Sequence, residues 1–240
     1  MKAIEMRGLT KEYKDVVAVD NLNLIIYKGE LVSLLGVNGA GKTTTLKMLS
    51  GLLKPSRGDI FINGKSICED MFYIKSIIAI SPQESAVSLT LSVKENLELM
   101  CTLHGLKKDK TKRKIEEVSK LLSIESVINK KASKLSGGFK RRLSIAMSLI
   151  SEPEILFLDE PTLGLDVISR SDLWEIIKDL KGKVTIVLTT HYMEEAEKLS
   201  DRIAIMKNGK LLVCDTVNNI MESVKATSVE DAFIQIVKGV

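Results

Sequence analysis

The sequence predicts an α/β fold: a mostly parallel sheet, covered by helices on both faces and interrupted by a helical insertion. Two patterns carry this. The apolar runs LVSLL (31–35), SIIAI (76–80), EILFLD (154–159) and VTIVLTT (184–190) alternate with helical stretches, and strands apolar on both faces belong to parallel sheets covered on both sides. Residues 88–150, by contrast, hold no good strand.

LVSLL is the first buried strand, and a glycine-rich turn joins it to a helix with Leu46, Leu49 and Leu53 on one face. Asn63-Gly64 and Asn208-Gly209 each lie between β-rich runs and suit tight hairpin turns, so antiparallel pairs should flank the parallel sheet. Within the insertion, Ser92 and Glu95 form a capping box before Val93, Leu97 and Met100. Further helical runs cover 109–123 and 138–150, and SVEDAFIQIVKGV (228–240) reads as a short amphipathic helix. The expected organisation is one domain over 1–240. Its α/β lobe takes 1–87 and 151–215, its helical subdomain 88–150 and its helical tail 216–240.

Composition sets the class. The 240 residues are 45% hydrophobic and 28% charged, enough for a sizeable core. A net charge of +4 is too mild and too evenly spread to predict nucleic-acid binding, and the basic run KKDKTKRK (107–114) reads as the solvated face of a surface helix. Cys68, Cys101 and Cys214 lack metal-ligand spacing and read as small buried hydrophobes in a reducing compartment, the cytosol being the simplest. No apolar run approaches the ~18 residues of a membrane span, and MKAIEMRG is not a signal peptide. A membrane role would come through a partner.

The chemistry begins at Gly36-Val37-Asn38-Gly39-Ala40-Gly41-Lys42-Thr43, a full match to the phosphate-binding loop, placed between a strand and a helix as that pattern requires. The glycines let successive backbone N–H groups curl around a β-phosphate, Lys42 adds charge on the β and γ oxygens, and the Thr43 hydroxyl suits Mg²⁺. In ILFLDEPTLGLD (155–166), Asp159 and Glu160 follow a strand at its carboxyl end, where open α/β sheets bind ligands. Two acids there can simply cap a helix. Beside a phosphate loop, Asp159 suits Mg²⁺, usually through water, and Glu160 suits polarisation of the water attacking a γ-phosphate.

A second glycine-rich helix start occurs at KLSGGFKRRLSIAM (134–147). Two glycines there leave backbone N–H groups open to close approach by an anion. The phosphate loop, Gln83, LSGG (135–138), LFLDEP, Asp166 and His191 together resemble, in order and approximate spacing, the ATP-binding subunits of ABC transporters, from about Ile4 to about Asp215.

That resemblance implies a P-loop NTPase core of the RecA-like kind, an antiparallel β flank and an inserted helical subdomain. It implies ATP and Mg²⁺ as ligands, with Gly36, Asn38, Gly39, Ala40, Gly41, Lys42, Thr43 and Thr44 binding nucleotide and Thr43, Gln83 and Asp159 on the metal side. Glu160, His191 and Gln83 are the implied catalytic group, and Tyr13 the aromatic stacked on adenine, or else an ordinary strand aromatic. Ser136, Gly137 and Gly138 would face the γ-phosphate held by a second subunit in a head-to-tail dimer. Asp166 would sit at that seam, cap its own helix, or both. The implied partners are a second ATP-binding subunit and a multispan membrane permease, with the chain peripheral on the inner face of the cell membrane and no nucleic acid.

Phe139 stands where the family most often has glutamine, and the helix pattern puts it with Leu143, Ala146 and Ile150 on a buried face. The segments HYMEEAEKLSDRIAIMKNGKLL and SVEDAFIQIVKG resemble the exporter branch serving drugs, lipids or sodium ions. An importer subunit, an off-membrane ATPase of the same type and a nucleotide-binding regulator are the alternatives.

Overall fold

Alternating burial along the first 27 residues makes a long hairpin of β1 (Lys2–Tyr13) and β2 (Val16–Tyr27), with Tyr13 opposite Val16 at its tip. The computed structural model describes residues 1–84 and 86–239. The fully buried β3 (Leu31–Leu35) leads through the phosphate loop into α1 (Lys42–Leu49). Next come β4 (Arg57–Ile62), β5 (Lys65–Ser66), α2 (Met71–Ile77) and β6 (Ile78–Ser81). The helical block holds α3 (Val93–Leu103), α4 (Lys108–Leu121) and α5 (Gly137–Leu149). The chain then returns to the sheet with β7 (Ile155–Asp159), α6 (Val167–Leu180), β8 (Thr185–Thr190), α7 (Met193–Leu199), β9 (Arg202–Lys207) and β10 (Lys210–Asp215). It closes with α8 (Val217–Ser223) and α9 (Val229–Lys238).

Two sheets result. Strands β2-β1-β4-β5 form an antiparallel sheet, and β10-β9-β3-β8-β7-β6 form a six-stranded sheet that is parallel except at its β9–β10 edge. One apolar core lies between the sheets and around α1, with Phe157, Leu34 and Leu46 fully buried. A second fills the opposite face of the large sheet and runs without a break into the helical block, joining Leu156 and Leu188 to Leu97 and Leu143. Ridges of α3 and α5 therefore share apolar neighbours with the strands.

Several local expectations hold. Ser92 Oγ accepts from Glu95 N at 3.2 Å while Ser92 N donates to Glu95 Oε2 at 2.7 Å, completing the capping box. Both Asn-Gly pairs turn with two positive φ values, 49° and 82° at Asn63-Gly64 and 49° and 78° at Asn208-Gly209, the torsions of a tight hairpin that follows strand twist. Phe139 is half-buried and packs against the core of the helical block.

Others need correction. Ser76 and Ile77 finish α2 instead of starting a strand, which begins at Ile78; a short apolar run does not by itself mark a helix-to-strand boundary. The two later helices start and stop slightly early, at 108–121 and 137–149. Cys68 is exposed, because the chain turns outward after β5, whereas Cys101 is buried as expected. Cys214 is intermediate, and burial pushes its thiol up to about 11. Within the basic run, Lys114 is buried and pairs with Glu117 and Glu152 at 3.0 and 2.9 Å.

Candidate functional site

The phosphate loop leaves β3 at Gly36 and enters α1 at Lys42, with Gly41 as a left-handed N-cap at φ 98°. Glycine is required at Gly41 twice over: the torsion disfavours a side chain, and a Cβ there would sit 2.5 Å from Ala18 O. The loop is also braced from behind. Gly209 N donates to Ala40 O at 3.1 Å and Asp20 N donates to Gly209 O at 2.9 Å, so the β9–β10 turn joins the loop to β2.

Lys42 is only 5% exposed and donates from Nζ to Gly36 O at 2.7 Å and Val37 O at 3.2 Å. Burial lowers its pKa, and the nearby Glu160 and Asp159 carboxylates only partly offset that. The ammonium is thus held over the loop by backbone dipoles with a carboxylate 3.9 Å away.

The acids arrive on β7. Asp159 Oδ1 accepts from Thr189 Oγ1 at 2.6 Å and from Thr43 Oγ1 at 3.3 Å, which sets a carboxylate and a hydroxyl side by side. Such hard oxygen donors fit Mg²⁺, which takes few protein ligands and completes its shell with phosphate and water. Glu160 adopts φ 44°, an uncommon backbone for a side chain with Cβ. Its N–H is fixed by Thr189 O at 3.1 Å and Thr189 Oγ1 at 3.0 Å. Its carboxylate approaches His191 Nδ1 at 3.3 Å without hydrogen-bond alignment, and that nitrogen has no hydrogen-bond partner.

A cleft of about 830 Å³ gathers Asn38 to Thr44, Gln83, Glu160 and His191, together with Val16, Val17, Ala18, Leu163 and Asn208. Tyr13, exposed at the tip of the β1–β2 hairpin, does not line it, although its cross-strand partner Val16 does. Ser136, Gly137, Gly138 and Asp166 do not line it either. They form a separate face. Ser136 Oγ caps α5 by accepting from Phe139 N at 3.4 Å, and a hydroxyl that accepts still has its proton to donate. Asp166 caps α6, accepting from Ser169 N at 2.9 Å and Ser169 Oγ at 2.7 Å, and those bonds hold its carboxyl below its usual value. A Cβ at Gly138 would press on Ser169 Oγ at 3.0 Å, so any other residue there would require Ser169 to shift.

The family model described as "ABC transporter" matches residues 19–163 of this chain. The chain belongs to the ABC transporter family. Its cassette is 37% identical over 219 residues to the daunorubicin resistance ATP-binding protein DrrA3 of Streptomyces coeruleorubidus, spanning 91% of this chain and 69% of that one. It is 42% identical over 215 residues to the phospholipid-transporting ATPase ABCA3 of Homo sapiens, covering 88% of this chain but 13% of that protein's length. Among solved structures, the dimeric post-hydrolysis ATP-binding cassette MJ0796 bound to ADP and Pi superposes with a TM-score of 0.79 at 28% identity, over 89% of this chain and 98% of that one.

Some contributors to the cassette carry no site signal in the sequence. Thr189, Asn208-Gly209 and Val16–Ala18 look like ordinary strand or turn residues, and only their tertiary neighbours give them a place at the site. Arg141, inside α5, donates to Pro82 O, Gln83 O and Glu160 O at 2.7, 2.8 and 3.3 Å.

Proposed function

We propose that the chain is the ATP-binding and ATP-hydrolysing component of a membrane exporter and that it works in pairs around two ATP molecules. One observation carries this reading: Lys42, Glu160, His191 and Gln83 line one cleft, while the exposed Ser136–Gly137 helix start lies outside it. A second copy supplying Ser136, Gly137 and Gly138 would enclose the γ-phosphate and complete the site, and two-fold symmetry would then build both sites from the same two surfaces.

In this reading the loop N–H groups and Lys42 bind the phosphates, Tyr13 and the Val16–Ala18 strand end receive the adenosine, and Glu160 accepts the proton of the attacking water. His191 and Gln83 hold the γ-phosphate and the water in line. Thr43, Asp159 and Gln83 would hold Mg²⁺, which neutralises charge on the phosphate oxygens. The transporter relatives support a membrane-embedded partner, and DrrA3 and ABCA3 support export of a drug-like or lipid-like compound. No described helix is long and apolar enough to cross a membrane, so the cassette would sit peripherally, on the cytoplasmic face, through that partner.

The test is phosphate release by the purified chain with Mg²⁺ and ATP, alone and with a membrane subunit reconstituted in vesicles. ATP-dependent turnover that rises with the membrane subunit is expected. Absence of turnover in both preparations overturns the assignment.

A further inference from the structure

Arg141 lies on α5, five positions after Ser136, and is 5% exposed. Among the described residues it has no carboxylate within ion-pair distance. A buried guanidinium without a paired anion is costly unless its donors are met, and burial indeed lowers its pKa, with Asp159, Glu195 and Glu160 acting only through space. Three backbone carbonyls meet those donors: Pro82 O, Gln83 O and Glu160 O. They belong to the chain segments leaving β6 and β7, adjacent strands of the large sheet. One helical turn further along, Ser144 Oγ meets Ser81 Oγ at 3.0 Å, a second tie between α5 and the end of β6.

We infer that Arg141 is a positioning residue that fastens the backbone of Gln83 and Glu160 to α5, so that engagement of Ser136–Gly138 by a neighbouring nucleotide sets the aim of this chain's own catalytic carboxylate. The fork geometry of guanidinium suits this task, since one planar group reaches two loops at once, which a lysine ammonium on a flexible stem does poorly. Side chains at 82 and 83 play no part in the tie. Coupling of this kind needs one element whose position both sites share, and α5 is that element.

The inference rests on the proposed roles of Glu160 and Gln83, and the experiment separates the two. Arg141→Met, Arg141→Lys and Glu160→Gln are compared with the parent for thermal unfolding, affinity for a fluorescent ATP analogue and turnover. Dimerisation is followed by sizing Arg141→Met in the Glu160→Gln background with ATP. Arg141→Met should bind the analogue within about twofold of the parent and still dimerise, while kcat falls roughly tenfold or more and Arg141→Lys lies between. Millimolar guanidinium should restore turnover to Arg141→Ala, where the same concentration of urea does not. That rescue also decides the matter should Arg141→Met fail to fold. The inference is overturned by Arg141→Met turnover above half the parent rate, by no guanidinium rescue, or by parallel losses of melting temperature, affinity and kcat. Glu160→Gln turning over at the parent rate sinks the site assignment itself, whatever Arg141 does.

Discussion

His191 Nδ1 stands 3.3 Å from one Glu160 carboxylate oxygen and is not hydrogen-bonded to it, while Lys42 Nζ lies 3.9 Å from the other. The carboxylate is therefore fixed mainly by its backbone, through Thr189, and its charge is free to act. Glu160→Gln keeps the shape and removes the charge. Nucleotide affinity should hold while kcat falls by about 10²–10⁴, the usual range for a lost general base. Sizing chromatography of this variant with ATP should show a species of twice the mass, and parent-like phosphate release would refute the role.

Lys42→Ala removes the buried cation and also uncaps Gly36 O and Val37 O. A charge-assisted hydrogen bond contributes about 1.5–3 kcal/mol, so ATP affinity should fall at least ~10-fold. Titration with a fluorescent ATP analogue checks this; unchanged affinity would contradict the phosphate-loop assignment.

The outward face can be tested by mixing. A Cβ at Gly137 would meet only Leu165 Cδ2, at 3.7 Å, so Gly137→Asp fits its own chain while setting a negative charge where a phosphate should arrive. In a Glu160→Gln background, Gly137→Asp chains alone and Lys42→Ala chains alone should trap almost no ATP as dimers. Their mixture should trap it, because one intact site forms from the loop of the first and the helix start of the second. Normal dimers from Gly137→Asp alone would show that no neighbour's nucleotide meets that helix.

Glu195 gives the pH dependence. It is fully buried, Oε1 accepts from Thr162 Oγ1 at 2.8 Å and Trp174 Nε1 at 3.1 Å, and Oε2 has no partner. Burial raises its pKa. The folded chain thus binds more protons than the unfolded chain above the ordinary glutamate range, and stability must fall as pH climbs from that range through the raised value. Glu195→Gln keeps the accepting oxygen and cannot ionise. The melting temperature of the parent relative to this variant should decline with rising pH, and a flat difference would show that Glu195 titrates normally.

What could be read from the sequence was what neighbouring residues decide together. The phosphate loop, the capping box and the buried strands β3, β7 and β8 are contiguous patterns, each with a local physical cause. The α5 helix start at Ser136 was legible through its two glycines for the same reason. Arg141 escaped because its three acceptors lie 19 to 59 residues away and are carbonyls, which carry no side-chain signature. Gly209 escaped because an Asn-Gly turn explains itself as a turn, leaving nothing to suggest that its backbone also supports Ala40 O. The strand run SIIAI was started two residues ahead of β6 because Ile77 suits either a helix or a strand.

The two Asn-Gly turns therefore differ as sites for protein engineering. Hairpin tips of small polar residues ordinarily accept inserted sequence, and a Cβ at Gly64 would meet nothing within 4 Å. At Gly209 a Cβ would meet Ala18 O at 2.8 Å, and the Gly41 position lies directly behind it. A peptide tag spliced after Gly64 has open solvent to enter, whereas the same tag after Asn208 has only the back of the phosphate loop. With identical residues and nearly identical torsions, one hairpin is a handle and the other is a wedge holding the nucleotide site in shape.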